Sequence, residues 1–181
     1  MTTPTLTAAI RMHHHAYVTT DQEATRRFYE DVVGLPLVAT WAEHADGQES
    51  CHTFFELSDG SALAFFQFAD LEYSEQSAPP PPFSPYRHLA LLVDSDSQDA
   101  IRDRAETAGV DTLTLDHGYC RSLYLNDPNG LILEFTIDHP EIDTIAALQK
   151  KSAHAQLARW LSGDRSTNND WRWAGFGSGS G

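Results

Sequence analysis

One pattern occurs twice in this chain and limits its fold more than any other feature. His14, Ala16 and Val18 open a short apolar strand; Thr20 and Asp21 then offer helix N-caps, with Glu23 in the capping-box position. Ala24, Phe28 and Val32 recur at helical spacing, and Gly34 is placed to end the helix. Strands are predicted at 35–41, 52–57 and 62–68, with a polar loop over 42–50 and a hairpin turn at Asp59-Gly60. The second half repeats the order: a strand over 88–93 opening with His88, caps over 94–97, a helix carrying Ala100, Ile101, Ala105 and Ala108, and a stop at Gly109. Strands follow at 112–115, 122–125 and 131–137. From His14 to Gly34 and from His88 to Gly109 the spacing differs by one residue, which duplication explains better than coincidence.

The expected architecture is α+β, with two βαβββ modules in one domain. The first module covers 10–71 and the second 86–138. A linker over 72–85 holds Pro79-Pro80-Pro81-Pro82, a stiff extended run. Residues 141–162 are good helix formers, with Ala146, Ala153, Leu157, Trp160 and Leu161 on a stripe suited to packing on the domain or on a second subunit. An irregular tail over 163–181 follows, in which Trp171 and Trp173 are candidates to tuck against the body.

Charge removes several partners. With 26 acidic against 12 basic residues and a net charge of -14, the surface should repel phosphate backbones and anionic membranes. No apolar stretch approaches the roughly 20 residues a membrane helix needs, and the start lacks the cationic-then-apolar order of a signal peptide. A cytoplasmic location and a homo-oligomer are the default expectations. Cys51 and Cys120 lack CxxC spacing and are expected as free thiols.

Glu134 is the residue most out of place. It sits in the apolar run Leu131-Ile132-Leu133-Glu134-Phe135, after the turn Asn126-Asp127-Pro128-Asn129-Gly130. An ionised carboxylate covered on both sides would cost several kcal/mol unless something cationic meets it. Two other strands begin with a histidine where a hydrophobe is expected, His14 and His88. Two imidazoles and one carboxylate form a common ligand set for a divalent metal with open positions. The alternative is that each histidine hydrogen-bonds in the core and Glu134 pairs with Arg87 or Arg121. His13 and His15 should point away from the face that carries His14.

The repeated βαβββ units, each opening with a histidine and an acidic helix cap, resemble the vicinal oxygen chelate superfamily. That superfamily includes glyoxalases, fosfomycin-resistance enzymes, bleomycin-binding proteins and type I extradiol dioxygenases. The resemblance covers roughly residues 10–138 and implies a cleft between curved sheets, with a metal held by His14, His88 and Glu134. A longer stretch, from His117 through Tyr124 and the turn at Asp127-Pro128 to Glu134, is similar to the extradiol dioxygenase signature. Leu115 departs from it, since that position is usually small, polar or β-branched. Cys51-His52-Thr53-Phe54 resembles the strand that carries the acid-base histidine of those enzymes.

The resemblance thus implies a catecholic substrate, dioxygen as co-substrate and Fe(II) as the metal, with Mn(II) as an alternative. His52 would be the acid-base group, with a near-neutral pKa suited to moving protons. His117 and Tyr124 would hydrogen-bond the substrate oxygens. Tyr119 and Arg121 would line the entrance. Of Phe54, Phe55, Phe65, Phe66 and Phe68, about half can face a substrate, because side chains alternate along a strand.

Two competing functions remain open. A glyoxalase-type lyase or isomerase usually adds a carboxylate ligand from the last strand of the first module, where only Gln67 is available here. A metal-free binding protein of the bleomycin-resistance type would not need His14, His88 and Glu134.

Overall fold

Each module folds into a four-stranded sheet in the computed structural model of the chain, which describes residues 9–78, 84 and 86–169. The first sheet contains β1 (His14–Val18), β2 (Leu37–Ala45), β3 (Gln48–Glu56) and β4 (Ala62–Phe68) in the order β1-β4-β3-β2. The second contains β5 (His88–Leu92), β6 (Thr112–Asp116), β7 (Cys120–Asn126) and β8 (Ile132–Asp138) in the order β5-β8-β7-β6. In both, the first strand runs parallel to the last, and β2–β3, β3–β4 and β6–β7 pair antiparallel. The βαβββ duplication expected from the sequence is therefore the fold.

The helices begin where the caps predict. Asp21 accepts a hydrogen bond from the Ala24 amide at the start of α1 (Gln22–Arg26), and Asp94 accepts one from the Ser97 amide at the start of α3 (Ser95–Thr107). Glu23 turns outward instead of closing a capping box, and pairs with Arg26 and Arg27. After α1 the chain continues as a π-helix, Arg27–Val33, which buries Phe28, Tyr29, Val32 and Val33. Gly34, at φ 91, ends it in the left-handed region where glycine is free to go.

One glutamine in each module ties the helix to the sheet. Gln22 Nε2 donates to the carbonyls of Cys51 and Phe65 at 3.1 and 2.8 Å. Gln98 Nε2 donates to those of Arg121 and Phe135 at 3.1 and 2.7 Å. The two clamps match position for position, which makes Cys51 the counterpart of Arg121 and Phe65 the counterpart of Phe135.

The chain divides into two compact units: residues up to 85 with Asn126–Leu131, and Tyr86–Leu125 with residues from 132 onward. The core of the first packs Tyr29 against Phe55 and Phe65, with ring centroids 5.2 and 4.8 Å apart. The β7–β8 turn belongs to this unit through a hydrogen bond from Tyr29 Oη to Asp127 Oδ2 at 3.0 Å. The core of the second buries Leu123, Leu133 and Phe135 with Ile101 and Ala105 of α3.

Several expectations need correction. Residues 42–50 are strand for most of their length: β2 and β3 pair down to Ala45 and Gln48, around a tight turn at Asp46-Gly47. Both turn residues have positive φ, 53 and 79, the geometry an Asp-Gly pair supplies for a two-residue hairpin. The linker opens with a helix, because Leu71–Ser77 forms α2, capped by Asp70 through the Tyr73 amide. Pro79 to Pro82, like Trp171 and Trp173, lie outside the described residues. The C-terminal helix α4 (Ile142–Leu161) forms, but it buries Ile145, while Ala146, Ala153, Leu157, Trp160 and Leu161 remain exposed among the described residues. Cys51 and Cys120 are free thiols, as expected, and no helix among the described residues is long and apolar enough to cross a membrane.

Candidate active site

Strand alternation sorts the chemistry. Side chains paired across neighbouring strands share a face, so in the second unit His88, Ala90 and Glu134 lie on the face opposite the Leu133 and Phe135 core. Ser122, Tyr124, Leu113 and Leu115 share a face of the β6–β7 pair. A hydrogen bond between Ser122 and Glu134 joins the two sets.

Glu134 is 5% exposed, and both of its carboxylate oxygens are engaged. Its Oε2 is 2.7 Å from His88 Nε2, and its Oε1 accepts a hydrogen bond from Ser122 Oγ at 2.6 Å. The partner that Glu134 meets on this side is thus an imidazole. The Tyr124 ring stands perpendicular to that of His88, with centroids 5.9 Å apart, and Tyr124 Oη lies 2.9 Å from His117 Nε2. Burial, followed by the hydrogen bond and charge of Glu134, raises the Tyr124 phenol above its ordinary value. It therefore remains an O–H donor at neutral pH. Ser122 was missed in the sequence although it lies inside the signature stretch; its position two residues before Tyr124, on the same strand face, was the available signal.

In the first unit, His14, Phe54, Phe66 and His52 lie on one face, and Phe55 and Phe65 on the other, against the helix. About half of the phenylalanines therefore face the histidines, as alternation requires. His14 is 6.5 Å from His52 and 5.9 Å from Phe54 between ring centroids. His15 turns to the opposite face and packs edge-on against Tyr17 at 4.4 Å. His13 departs from expectation: it precedes the strand, and its Nδ1 lies 2.7 Å from His14 Nδ1, so it engages His14 and leaves Nε2 as the free ring position for a ligand.

His52 is 5% exposed. Burial lowers its pKa from the ordinary histidine value, Glu43 opposes that shift, and His14 adds to it. A cavity of about 600 Å³ at this end of the sheet is lined by Glu43, His44, Ser50, Cys51, Gln67 and Phe68, and by none of the candidate ligands. Cys120 is buried, which raises its thiol pKa and makes it a poor nucleophile.

The duplication locates the position of a possible fourth ligand. Ala64 pairs with Ala16 as Glu134 pairs with Ala90, so Ala64 stands where the first module would carry a matching carboxylate. Gln67 is not in that position. Its amide is engaged at the start of α1, with Oε1 accepting from the Gln22 amide and Nε2 donating to the Thr20 carbonyl.

Among the described residues, no three His, Cys, Asp or Glu side chains are grouped to hold a metal ion as they stand. The His88–Glu134 contact supplies two donors in the second unit. The donor chemistry fits a divalent cation: a carboxylate oriented by a serine hydroxyl, in contact with an imidazole nitrogen that a cation can displace from it.

Comparison with known proteins agrees with this fold. The model of the Glyoxalase/Bleomycin resistance protein/Dioxygenase superfamily matches residues 11–135. The chain belongs to that superfamily. Similar solved structures include a glyoxylase/bleomycin resistance protein/dioxygenase domain from Frankia sp. EAN1pec, at 15% identity and a TM-score of 0.57, covering 75% of this chain and 95% of that one. A glyoxalase/dioxygenase from Nostoc punctiforme matches at 23% identity and a TM-score of 0.52, covering 76% and 99%. The fosfomycin resistance protein FosX from Listeria monocytogenes, complexed with Mn(II) and a dihydroxypropylphosphonic acid, matches at 16% identity and a TM-score of 0.53, covering 71% and 92%. At these identities the likeness is one of fold. A search of curated proteins found no match.

Proposed function

We propose that this chain is a metal-dependent extradiol dioxygenase that opens a catecholic ring with dioxygen. The observation that carries the reading is the grouping in the second unit of His88 and Glu134 with Tyr124 and its partner His117. A metal-binding pair would explain the first two residues; hydrogen-bonding groups beside that pair suit a substrate that presents two adjacent oxygens.

In this reading His14 Nε2, His88 Nε2 and the Glu134 carboxylate hold Fe(II), or Mn(II) as the alternative, and His13 and Ser122 orient the first and last of these donors. The metal would supply electron exchange between the diol and dioxygen. The protein's own groups do the rest. Tyr124 donates its O–H to a substrate oxygen, and His117 fixes the direction of that donor. His52 takes a proton from a substrate hydroxyl and returns it later in the cycle. Phe54 and Phe66 offer an apolar wall that excludes water from His52.

Anaerobic loading with Fe(II), followed by an aerobic scan of catechols, tests the proposal. The expected result is a yellow ring-opened product with oxygen uptake matching catechol loss one to one. The zinc form should bind catechol and leave it unreacted, because zinc has no redox chemistry. Turnover of a thiol adduct by the zinc form under argon would establish the lyase or isomerase alternative instead.

A further inference from the structure

One ring nitrogen of His52 faces a carboxylate, and the other has no hydrogen-bond partner among the described residues. Its ring lies among aromatic side chains: Phe66 stacks on it at 3.5 Å, Phe54 tilts against it at 4.2 Å, and Trp41 meets it edge-on at 5.9 Å. Glu43 follows Trp41 by two residues on β2, and Trp41 is the cross-strand partner of His52, so the carboxylate lies on the same face. Glu43 Oε2 is 3.6 Å from His52 Nδ1. The other ring nitrogen, Nε2, is buried and has no hydrogen-bond partner among the described residues.

We propose that Glu43 is the positioning residue of His52: it holds the imidazole in the Nδ1–H tautomer and so presents the Nε2 lone pair as a proton acceptor. The inference rests on taking His52 as the acid-base group of the site. A neutral imidazole carries one proton, and the nitrogen that faces a carboxylate is the one that should bear it. Nε2 is then left as a buried acceptor with no donor, an unfavourable state. A substrate O–H is the partner it lacks.

Stability does not account for this arrangement. The Glu43 side chain is 40% exposed, and a pair so open to solvent contributes little to stability. The same exposure keeps the carboxylate hydrated. At 3.6 Å the contact is longer than a formed hydrogen bond, and catalytic contacts of this kind commonly tighten when substrate arrives.

Nitrogen-15 NMR of the imidazole side chains, on the full-length, metal-free and substrate-free protein, reads the tautomer directly. Wild type should show His52 with its proton on Nδ1. Glu43→Leu should lose that preference, and Glu43→Gln, whose amide oxygen still accepts, should restore it. Glu43→Ala serves as a second apolar variant should the leucine interfere with folding. A wild-type His52 protonated on Nε2, or a tautomer unchanged in the apolar variants, would overturn the proposal. Because no metal or catechol is present, these outcomes are separate from the success or failure of the dioxygenase reading. If catechol is cleaved, Glu43→Leu should lower kcat about tenfold or more at constant KM. An unchanged kcat would also overturn it.

Discussion

Glu134 and Ala64 occupy the same position in the two modules, each paired with the third residue of its module's first strand. Duplication thus left one carboxylate where two would be symmetrical. Ala64 has no exposed surface and no donor atom, so the last strand of the first module offers no ligand at that position.

Metal ligation is the first expectation to test. His14→Ala, His88→Ala and Glu134→Gln should each lose stoichiometric iron or manganese, measured as metal content after reconstitution and dialysis, with circular dichroism unchanged. His15→Ala should keep full occupancy, because His15 packs on Tyr17 away from His14. His13→Ala should keep one-to-one stoichiometry with affinity weakened about tenfold or more, as for a group that orients a ligand. Full occupancy in any of the first three variants would remove that residue from the ligand set.

Replacing His52 should separate binding from chemistry. His52→Phe suits its apolar surroundings and should fold, bind metal and bind catechol. Its turnover should fall at least about 100-fold, the contribution of a general acid-base group. Turnover at the wild-type rate would leave His52 as a packing residue.

The glutamine clamps should appear in stability and not in chemistry. Gln98→Met keeps the length of the side chain while removing the donor shared by the Arg121 and Phe135 carbonyls, and should cost about 1–3 kcal/mol. Gln22→Met should cost a similar amount through Cys51 and Phe65. Urea unfolding checks both. A loss of stability in neither variant would mean that the carbonyls are satisfied without the clamp.

Asp127 should give a pH signature. Burial raises its pKa above the ordinary value of 3.8, against the opposing hydrogen bonds from Asn129, Leu131 and Tyr29. Between those two values the folded state binds more protons than the unfolded state. The contribution of Asp127 to stability is therefore full below 3.8 and is lost as pH rises through the folded pKa. The unfolding free energy of wild type minus that of Asp127→Asn should fall as pH rises above 3.8. A difference that stays flat or rises would show that the carboxyl is not desolvated.

Periodicity and punctuation in the sequence determined the repeated βαβββ order, the helix starts at Asp21 and Asp94, and the stop at Gly34, because these depend on local backbone chemistry. They also marked Glu134 and the two strand-opening histidines, since a polar residue in an apolar run is visible without a structure. The Asp46-Gly47 turn was written in the sequence too, but polar side chains over 42–50 hid it, because an antiparallel hairpin can leave much of its surface in water. Only the tertiary structure showed that Ser122 holds one oxygen of Glu134, that Glu43 stands by His52, and that Ala64 rather than Gln67 is the counterpart of Glu134. Each of those relations depends on register between strands, which sets which side chains share a face and which a local pattern cannot fix. The exposed stripe of α4 was likewise decided by packing, since helical spacing specifies a face and says nothing of what covers it.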